Sequence, residues 1–350
     1  MGRSHQINIF CTLDDKVFHH LPQSGAVYGS SYRFAADGGI LAEFAAEGAA
    51  TKENSTAATT ACQSRLFPFV EHSFGNQCGV NRAAGQTGWC GAPDTALVAK
   101  AMLHKWEEPA LAGNGGSGAV FFGGCTLGCK YCQNMAISGN PVGTPMDSAG
   151  LRQLFEDLID KGAENIDLVT PTHFLPDILP ALSPKLPVPV VYNCGGYERP
   201  ETLRELEGHI DIYLPDLKYA DDRLGLALSG TRDYFSMATA AIREMVRQTG
   251  PVQWEGDKVV KGVIIRHLIL PGFVDNSLRV LDWIGDAFAP GEVLVSLMRQ
   301  YTPMGGLPAP LDRRVTDEEY DAVLSWMYLN DLEGFTQEED SADQGFIPDF

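Results

Sequence analysis

Basic residues are scarce in this sequence. Its 350 residues include 26 Lys and Arg against 45 Asp and Glu, which gives a formal charge of −19 at pH 7. A surface of this sign repels phosphate backbones and anionic lipid headgroups. We therefore expect neither nucleic acid nor a membrane among the partners of this protein.

Long apolar runs are missing as well. No stretch of the sequence is long enough to span a bilayer, and the first twenty residues lack the charged start and apolar core of a signal peptide. These two features predict a cytoplasmic protein. Hydrophobic residues make up 44% of the chain and charged residues 20%, a composition that is typical of a globular protein with a sizeable core.

Large apolar side chains are few near the N-terminus, where Ala, Gly, Ser and Thr dominate. Such a segment cannot bury enough surface to offset chain entropy, so residues 1–60 are expected to be mostly disordered. Residues 61–117 form a Cys- and Gly-rich extension, residues 118–300 a regular core, and residues 301–350 a C-terminal helical extension and tail.

The core shows a regular alternation of short apolar runs and helical patterns. Six β-rich runs, from "AVFFG" to "EVLVSLM", are each followed by a segment with helical periodicity. This order predicts an α/β fold with a parallel sheet and right-handed crossovers, either an open doubly wound sheet or a partial barrel. In both architectures the chemistry lies at the carboxyl ends of the strands.

Eight cysteines are present, and three of them, Cys125, Cys129 and Cys132, follow the first of these strands with the spacing C-x3-C-x2-C. Clustered thiols in a reducing compartment predict metal ligands rather than disulfides. A structural zinc ion needs a fourth ligand, for which His173, Cys194 and Cys90 are candidates. A four-iron cluster with three thiolates leaves one iron open to a small molecule, and three bunched thiols without a fourth favour this second interpretation.

The stretch "CTLGCKYC" resembles the signature of radical S-adenosylmethionine (SAM) enzymes, including the aromatic residue before the last cysteine. Together with "IDLVTPTHFLPDILPAL", "VVYNCGGYE", "IDIYLPDLKY" and "IIRHLILPG", it makes residues 119–300 similar to a branch of that superfamily related to pyruvate formate-lyase activating enzyme. The resemblance implies a partial (β/α)6 barrel of the radical SAM type, a [4Fe–4S] cluster and bound SAM. It further implies reductive cleavage of SAM to a 5′-deoxyadenosyl radical that abstracts hydrogen from a substrate.

Residue roles and partners follow from this resemblance. The cluster ligands would be the three loop cysteines, and the SAM-binding residues would be Tyr131, Thr172, Asn193, Asp216, Lys218 and Arg266. Thr172 stands where the activating enzymes carry a Gly-Gly-Glu stretch, and "RQYTP" after the last strand also departs from them. The implied partners are an electron donor such as flavodoxin or ferredoxin and a substrate that is either a protein, such as a glycyl-radical enzyme, or a small molecule.

Two questions stay open at this point. Cys62, Cys78 and Cys90, together with His72, would hold a second metal or would be free thiols. The chain as a whole has an alternative interpretation as a zinc-stabilised βα binding or scaffold protein without catalysis.

Overall fold

The computed structural model of the chain describes residues 80–337. The predicted disordered segment 1–60, together with Cys62, His72 and Cys78, lies outside these residues. The strands are β1 (Ala96–His104), β2 (Ser117–Phe122), β3 (Thr144–Met146), β4 (Ile166–Val169), β5 (Val190–Cys194), β6 (Ile212–Pro215), β7 (Gln253–Glu255), β8 (Lys258–Leu268), β9 (Leu294–Met298) and β10 (Gly334–Thr336). The helices are α1 (Pro109–Ala112), α2 (Met135–Ser138), α3 (Ser148–Asp160), α4 (Leu175–Ala181), α5 (Pro200–Arg204), α6 (Asp222–Ser229), α7 (Tyr234–Thr249), α8 (Val274–Ala287) and α9 (Asp317–Leu329).

One sheet organises the described part of the chain. Its strand order is β10-β9-β8-β6-β5-β4-β2-β1-β3, and β7 pairs with β8. The six predicted core strands, β2, β4, β5, β6, β8 and β9, run parallel to one another. The prediction of an α/β fold with six βα units is therefore confirmed. Within residues 80–337 the sheet has two edges, at β3 and β10, and does not close on itself.

The two faces of the sheet differ in chemistry because side chains alternate along each strand. The outer face is apolar and packs against the larger helices, as where Leu168, Tyr192 and Ile265 share a core with residues of α3, α7 and α8. The inner face has an apolar layer that packs against Ala110 and Leu111 of α1. Next to this layer the inner face carries a row of polar side chains: Asp167, Asn193, Asp216, Arg266 and Ser296.

Local sequence signals account for where the amphipathic helices begin. Asp147 accepts a hydrogen bond from the backbone N–H of Gly150 and so caps α3, whose apolar side is buried under the sheet. Thr316 and Glu319 form a reciprocal capping box at the start of α9. Both helices were predicted from the sequence, and both contribute apolar side chains to the core.

Two strands of the sheet, β1 and β10, lie outside the predicted core of residues 118–300. β1 lies within the segment 61–117 and pairs antiparallel with β2, so residues from Ala96 onward belong to the same sheet as the core. The predicted boundary between residues 117 and 118 falls inside β2. At the other edge, β10 lies within the predicted C-terminal extension and adds a further parallel strand beside β9. Single-sequence periodicity missed β1 because its burial alternates poorly along the strand.

None of the helices in residues 80–337 combines the length and the apolar character that crossing a membrane would require.

Candidate functional site

The three clustered cysteines lie on the loop that joins β2 to α2, at the carboxyl edge of the parallel strands. The loop is fastened to the end of α6, because the backbone N–H groups of Gly128 and Lys130 donate to the carbonyls of Ser229 and Leu228 at 3.1 and 2.8 Å. Leu127 is buried and anchors the loop to the core. The sequence-predicted position of the cysteines at the strand ends is therefore where the structure places them.

Each thiol has its own hydrogen-bond partner. Cys125 Sγ accepts from the backbone N–H of Leu127 at 3.4 Å. Cys132 Sγ accepts from the hydroxyl of Ser138 at 3.4 Å, and Cys129 Sγ lies 2.9 Å from the hydroxyl oxygen of Ser229. Donors aimed at sulfur stabilise a thiolate, which is the form that binds metal.

The three sulfur atoms also influence one another electrostatically. Burial raises the pKa of Cys125 well above its usual range, and the neighbouring Cys129 adds to the shift. Burial likewise raises the pKa of Cys129 to about 11, although the ammonium group of Lys218 opposes this shift. Metal binding must therefore release these protons, as it does at other thiolate sites. The influence of Lys218 also shows that its charge lies near the cysteine loop.

Tyr131, predicted to bind the cofactor, is 6% exposed and points into the protein. Its hydroxyl lies 2.6 Å from the hydroxyl of Tyr219, and its ring packs at 6.1 Å from that of Tyr301. These contacts pack Tyr131 against Tyr219 and Tyr301, and its predicted cofactor-binding role stays a prediction.

Asp216, Lys218 and Arg266 form a half-buried ion cluster at the carboxyl end of β6. Lys218 donates to Asp216, and Arg266 Nε donates to the other carboxylate oxygen at 3.2 Å. Burial alone would raise the pKa of Asp216, but the two cations hold it below its usual value. Asp216 in turn raises the pKa of Lys218 to about 12 against the effect of burial. The three side chains of this ion cluster are therefore charged throughout the physiological pH range.

A close approach of three segments brings this cluster to the cysteine loop. Gly195 follows β5, and a Cβ atom there would lie 2.6 Å from Leu127 Cδ1 and 3.8 Å from Lys218 Cε. Gly196 has φ of +78°, and a Cβ atom there would lie 1.9 Å from the carbonyl oxygen of Asp216. Gly196 is thus required for the loops after β5 and β6 to meet, and Gly195 leaves room for Leu127 of the cysteine loop.

Arg266 connects the ion cluster to other strands of the inner face. Its Nη2 donates to Asn193 Oδ1 at 2.6 Å, and its Nη1 lies 3.5 Å from Glu107 Oε2. Asn193 also donates to Asp167 at 3.3 Å. The prediction that Asn193, Asp216, Lys218 and Arg266 share one site is thus consistent with the geometry, although their roles toward SAM stay predictions.

Sequence reasoning missed the acidic residues beneath Arg266. Burial raises the pKa of Glu108 to about 7 in spite of the nearby Arg266. Burial also raises the pKa of Asp167, and the adjacent Glu107 adds to this shift. Asp167 could have been found from the sequence, because it is the lone acid within the apolar strand "IDLV". Glu107 and Glu108 lie outside the predicted core, and the sequence gave no such signal for them.

Thr172 begins a short 3₁₀ turn after β4 and contacts a second residue that sequence reasoning missed. Its hydroxyl donates to Glu198 Oε1 at 2.8 Å and accepts from Tyr192 at 2.9 Å. Burial raises the pKa of Glu198 to about 8, and its Oε2 accepts no N–H or O–H bond from residues 80–337. The thiol of Cys194, a weak donor, lies close to this carboxyl group.

Thr170 lies just before this turn and is a backbone outlier. It is β-branched yet has φ of +58°, and its N–H donates to the carbonyl of Asn193 at 2.8 Å. Backbone strain of this kind concentrates at functional sites, where the surrounding structure must hold it. The strained turn and the incompletely bonded Glu198 carboxyl lie together at the carboxyl ends of β4 and β5.

The residues considered as a fourth zinc ligand have other roles. His173 is buried, its Nε2–H donates to the carbonyl of Gly123 at 2.8 Å, and burial lowers its pKa to about 4. Cys90 Sγ accepts from Arg82 at 3.3 Å, and Cys194 is buried beside Glu198. Within residues 80–337 no group of three or more His, Cys, Asp or Glu side chains is arranged to hold a single metal ion. The predicted second metal at Cys62, Cys78 and Cys90 lies largely outside the described residues and stays a prediction.

The donor set does fit a four-iron cluster. Thiolates of such a cluster bind separate irons, so their sulfur atoms need not converge on one point. Cys125, Cys129 and Cys132 are close enough to couple electrostatically, and each receives or faces a hydrogen-bond donor. These three cysteines would hold the cluster, and the half-buried Lys218 lies near Cys129.

A comparison with protein families supports the iron–sulfur interpretation. Residues 111–172 match the family model described as a 4Fe-4S single cluster domain. The match begins within α1, contains the three loop cysteines and ends at Thr172. The loop thus lies in a stretch that is similar to single-cluster iron–sulfur domains.

Similar whole proteins were found by sequence and by structure. The chain is 28% identical over 269 residues to the uncharacterized protein MJ0674 of Methanocaldococcus jannaschii, covering 73% of this chain and 72% of that protein. A radical SAM methyltransferase from Sphaerobacter thermophilus aligns with a TM-score of 0.47 at 12% identity, over 85% of this chain and 93% of the other. SuiB from Streptococcus suis, solved with S-adenosylmethionine, aligns with a TM-score of 0.44 at 13% identity over 61% of this chain. The aligned region spans 48% of SuiB.

Proposed function

We propose that this protein is a radical SAM enzyme. The observation that carries the proposal is the placement of Cys125, Cys129 and Cys132 on one loop at the carboxyl ends of parallel strands, within a stretch similar to 4Fe-4S domains. Three thiolates leave one iron of a four-iron cluster without a protein ligand. A small chelating molecule such as SAM would complete that coordination.

The charged cluster on the inner face supports SAM as this molecule. SAM carries a carboxylate, and a carboxylate in a closed site requires a fixed cation nearby. Lys218 and Arg266 provide two such cations, and Asp216 holds both in place. Thr172 and Asn193 present polar groups from the two neighbouring strand ends.

Cys125, Cys129 and Cys132 would hold the cluster, which together with SAM would supply one-electron reductive cleavage and hydrogen-atom abstraction from the substrate. The chain itself orients the bound molecule and keeps water from the reacting atoms. Lys218 and Arg266 would bind the carboxylate, and the two glycines after β5 allow the loops to close around it.

The substrate class is a finer part of the proposal. The resemblance to pyruvate formate-lyase activating enzyme supports hydrogen abstraction from a glycyl-radical enzyme, with flavodoxin or ferredoxin as electron donor. The departures at Thr172 and in "RQYTP" leave a different protein or a small molecule as the alternative. Incubating the reduced protein and SAM with a glycyl-radical enzyme encoded beside it, and looking for a glycyl radical by electron paramagnetic resonance (EPR), separates these classes.

The test of the enzyme itself is metal analysis followed by SAM cleavage. Anaerobically reconstituted protein should contain about four iron and four sulfide per chain in the loop. Dithionite-reduced protein should convert SAM to 5′-deoxyadenosine, detected by chromatography. Changing Cys125, Cys129 and Cys132 together to Ala should abolish both, while the matched variant Cys194→Ala, which changes a buried thiol of β5, should retain the iron.

A zinc-stabilised scaffold without catalysis predicts a different result. Stoichiometric zinc without iron after anaerobic reconstitution would contradict the radical SAM proposal and support the scaffold.

A further inference from the structure

Four polar groups form a continuous line beneath the cysteine loop. The hydroxyl oxygens of Tyr131 and Tyr219 lie 2.6 Å apart, and that of Tyr219 lies 2.7 Å from Ser229 Oγ. Ser229 Oγ in turn lies 2.9 Å from Cys129 Sγ. The line therefore ends on a cysteine of the three-thiol loop.

Metal binding fixes the direction of this line. A metal-bound Cys129 is a thiolate and accepts hydrogen bonds only, so the Ser229 hydroxyl must donate to it. Ser229 Oγ then accepts from Tyr219, and Tyr219 accepts from Tyr131. Each hydroxyl donates once toward the sulfur.

The surroundings hold the line in place. Ser229 is the last residue of α6, and Gly230 ends that helix with φ of +73°. The carbonyl of Ser229 accepts from Gly128 N–H in the cysteine loop, so its side chain and backbone contact the same loop. Tyr219 is fully buried and Ser229 is 1% exposed, which makes these hydrogen bonds stronger than they would be in water.

We propose that Ser229, held in orientation by Tyr219 and Tyr131, donates a hydrogen bond to the Cys129 thiolate and thereby raises the reduction potential of the cluster. This inference rests on the proposed function, since it requires the cluster at the loop. One-electron reduction, with dithionite as the electron source, adds negative charge that the thiolate sulfurs share. A donor to sulfur stabilises the reduced form more than the oxidised form, so the potential rises.

Single hydroxyl deletions test the line without touching a cysteine. The variants are Ser229→Ala, Ser229→Thr, which keeps a hydroxyl, and Tyr219→Phe, which removes the hydroxyl that lies between Tyr131 and Ser229. The control is Ser236→Ala, which removes a hydroxyl of α7 that contacts the carbonyl of Asp233. Each protein is reconstituted anaerobically, its iron and sulfide are measured, and the midpoint potential is determined without SAM by redox titration followed by EPR.

We expect Ser229→Ala to lower the equilibrium constant for reduction about tenfold, which corresponds to about 59 mV for a one-electron couple. Tyr219→Phe should shift the midpoint in the same direction by less. Ser229→Thr and Ser236→Ala should stay near the parent value. A graded effect of this kind reports on the hydroxyl line and would not arise from a purely structural role.

Parent-like midpoints in both Ser229→Ala and Tyr219→Phe, with full iron content, would overturn the inference. If Ser229→Ala fails to take up iron, Tyr219→Phe decides the matter, because it keeps Ser229 and the three cysteines. If the iron-loaded variants cleave SAM and keep the parent midpoint, only the inferred effect of the hydroxyl line is refuted. If the parent protein contains zinc and no iron, the proposed function is refuted as well.

Discussion

Replacing Glu198 by Gln should stabilise the protein at neutral and alkaline pH. The Glu198 carboxyl is 2% exposed, and burial raises its pKa from the ordinary value of 4.5 to about 8. Between these two values the folded chain keeps a proton that the unfolded chain has released. The free energy of unfolding therefore falls as the pH rises through this window, and it is recovered below pH 4.5.

The size of the effect follows from the two pKa values. Each pH unit inside the window corresponds to about 1.36 kcal/mol, so the buried carboxyl costs about 3 kcal/mol at pH 7. The amide of Gln has nearly the same shape, still accepts the hydrogen bond from Thr172, and carries no charge. We expect Glu198→Gln to raise the free energy of unfolding by about 2 kcal/mol at pH 6 and about 3 kcal/mol at pH 7, and the gain should level off above pH 8.

Urea unfolding under anaerobic conditions, followed by circular dichroism at several pH values from 6 to 8.5, measures this gain. Glu201→Gln, on an exposed residue of the nearby helix α5, is the matched control, because it makes the same substitution where the carboxyl is not buried. A gain that stays constant with pH, or a loss at every pH, would refute burial of a protonated carboxyl as the source of the effect.

Two further predictions concern the ion cluster and the glycines beside it. Lys218→Ala and Arg266→Ala should each keep the iron but weaken SAM binding at least about tenfold, because each removes one of the two cations that would bind the SAM carboxylate; SAM binding and cleavage at parent level in both variants would exclude these side chains from the site. Gly196→Ala should lower the free energy of unfolding by at least about 2 kcal/mol more than Gly208→Ala. Both glycines have positive φ, but a Cβ atom clashes with Asp216 only at Gly196, and equal losses would contradict this close approach.

Much of the fold was predictable from short-range patterns. The six core βα units follow from apolar runs and helical periodicity, which depend on residues a few positions apart. The cysteine loop was predictable for a similar reason, since C-x3-C-x2-C places three soft ligands within eight residues. Strand ends of parallel units meet at one edge, so the position of the loop at that edge also followed from the order of the elements.

The rest of the site depends on contacts between distant segments. Arg266 meets Asn193, 73 residues away, only because β5, β6 and β8 are neighbours in the sheet. The sequence around Glu198 reads as an ordinary loop, and its raised pKa comes from burial beside Thr172.

Ser229 is the clearest example of a contact that could not be predicted from the sequence. It lies 100 residues from Cys129, and nothing in the sequence of α6 indicates a partner in the cysteine loop. Hydrogen bonds, charge pairing and desolvation act through space, so they are set when the loops after β2, β5 and β6 come together. Local periodicity does not depend on that approach. For this reason the cysteine loop was predictable from the sequence, while the distant residues that contact it were not.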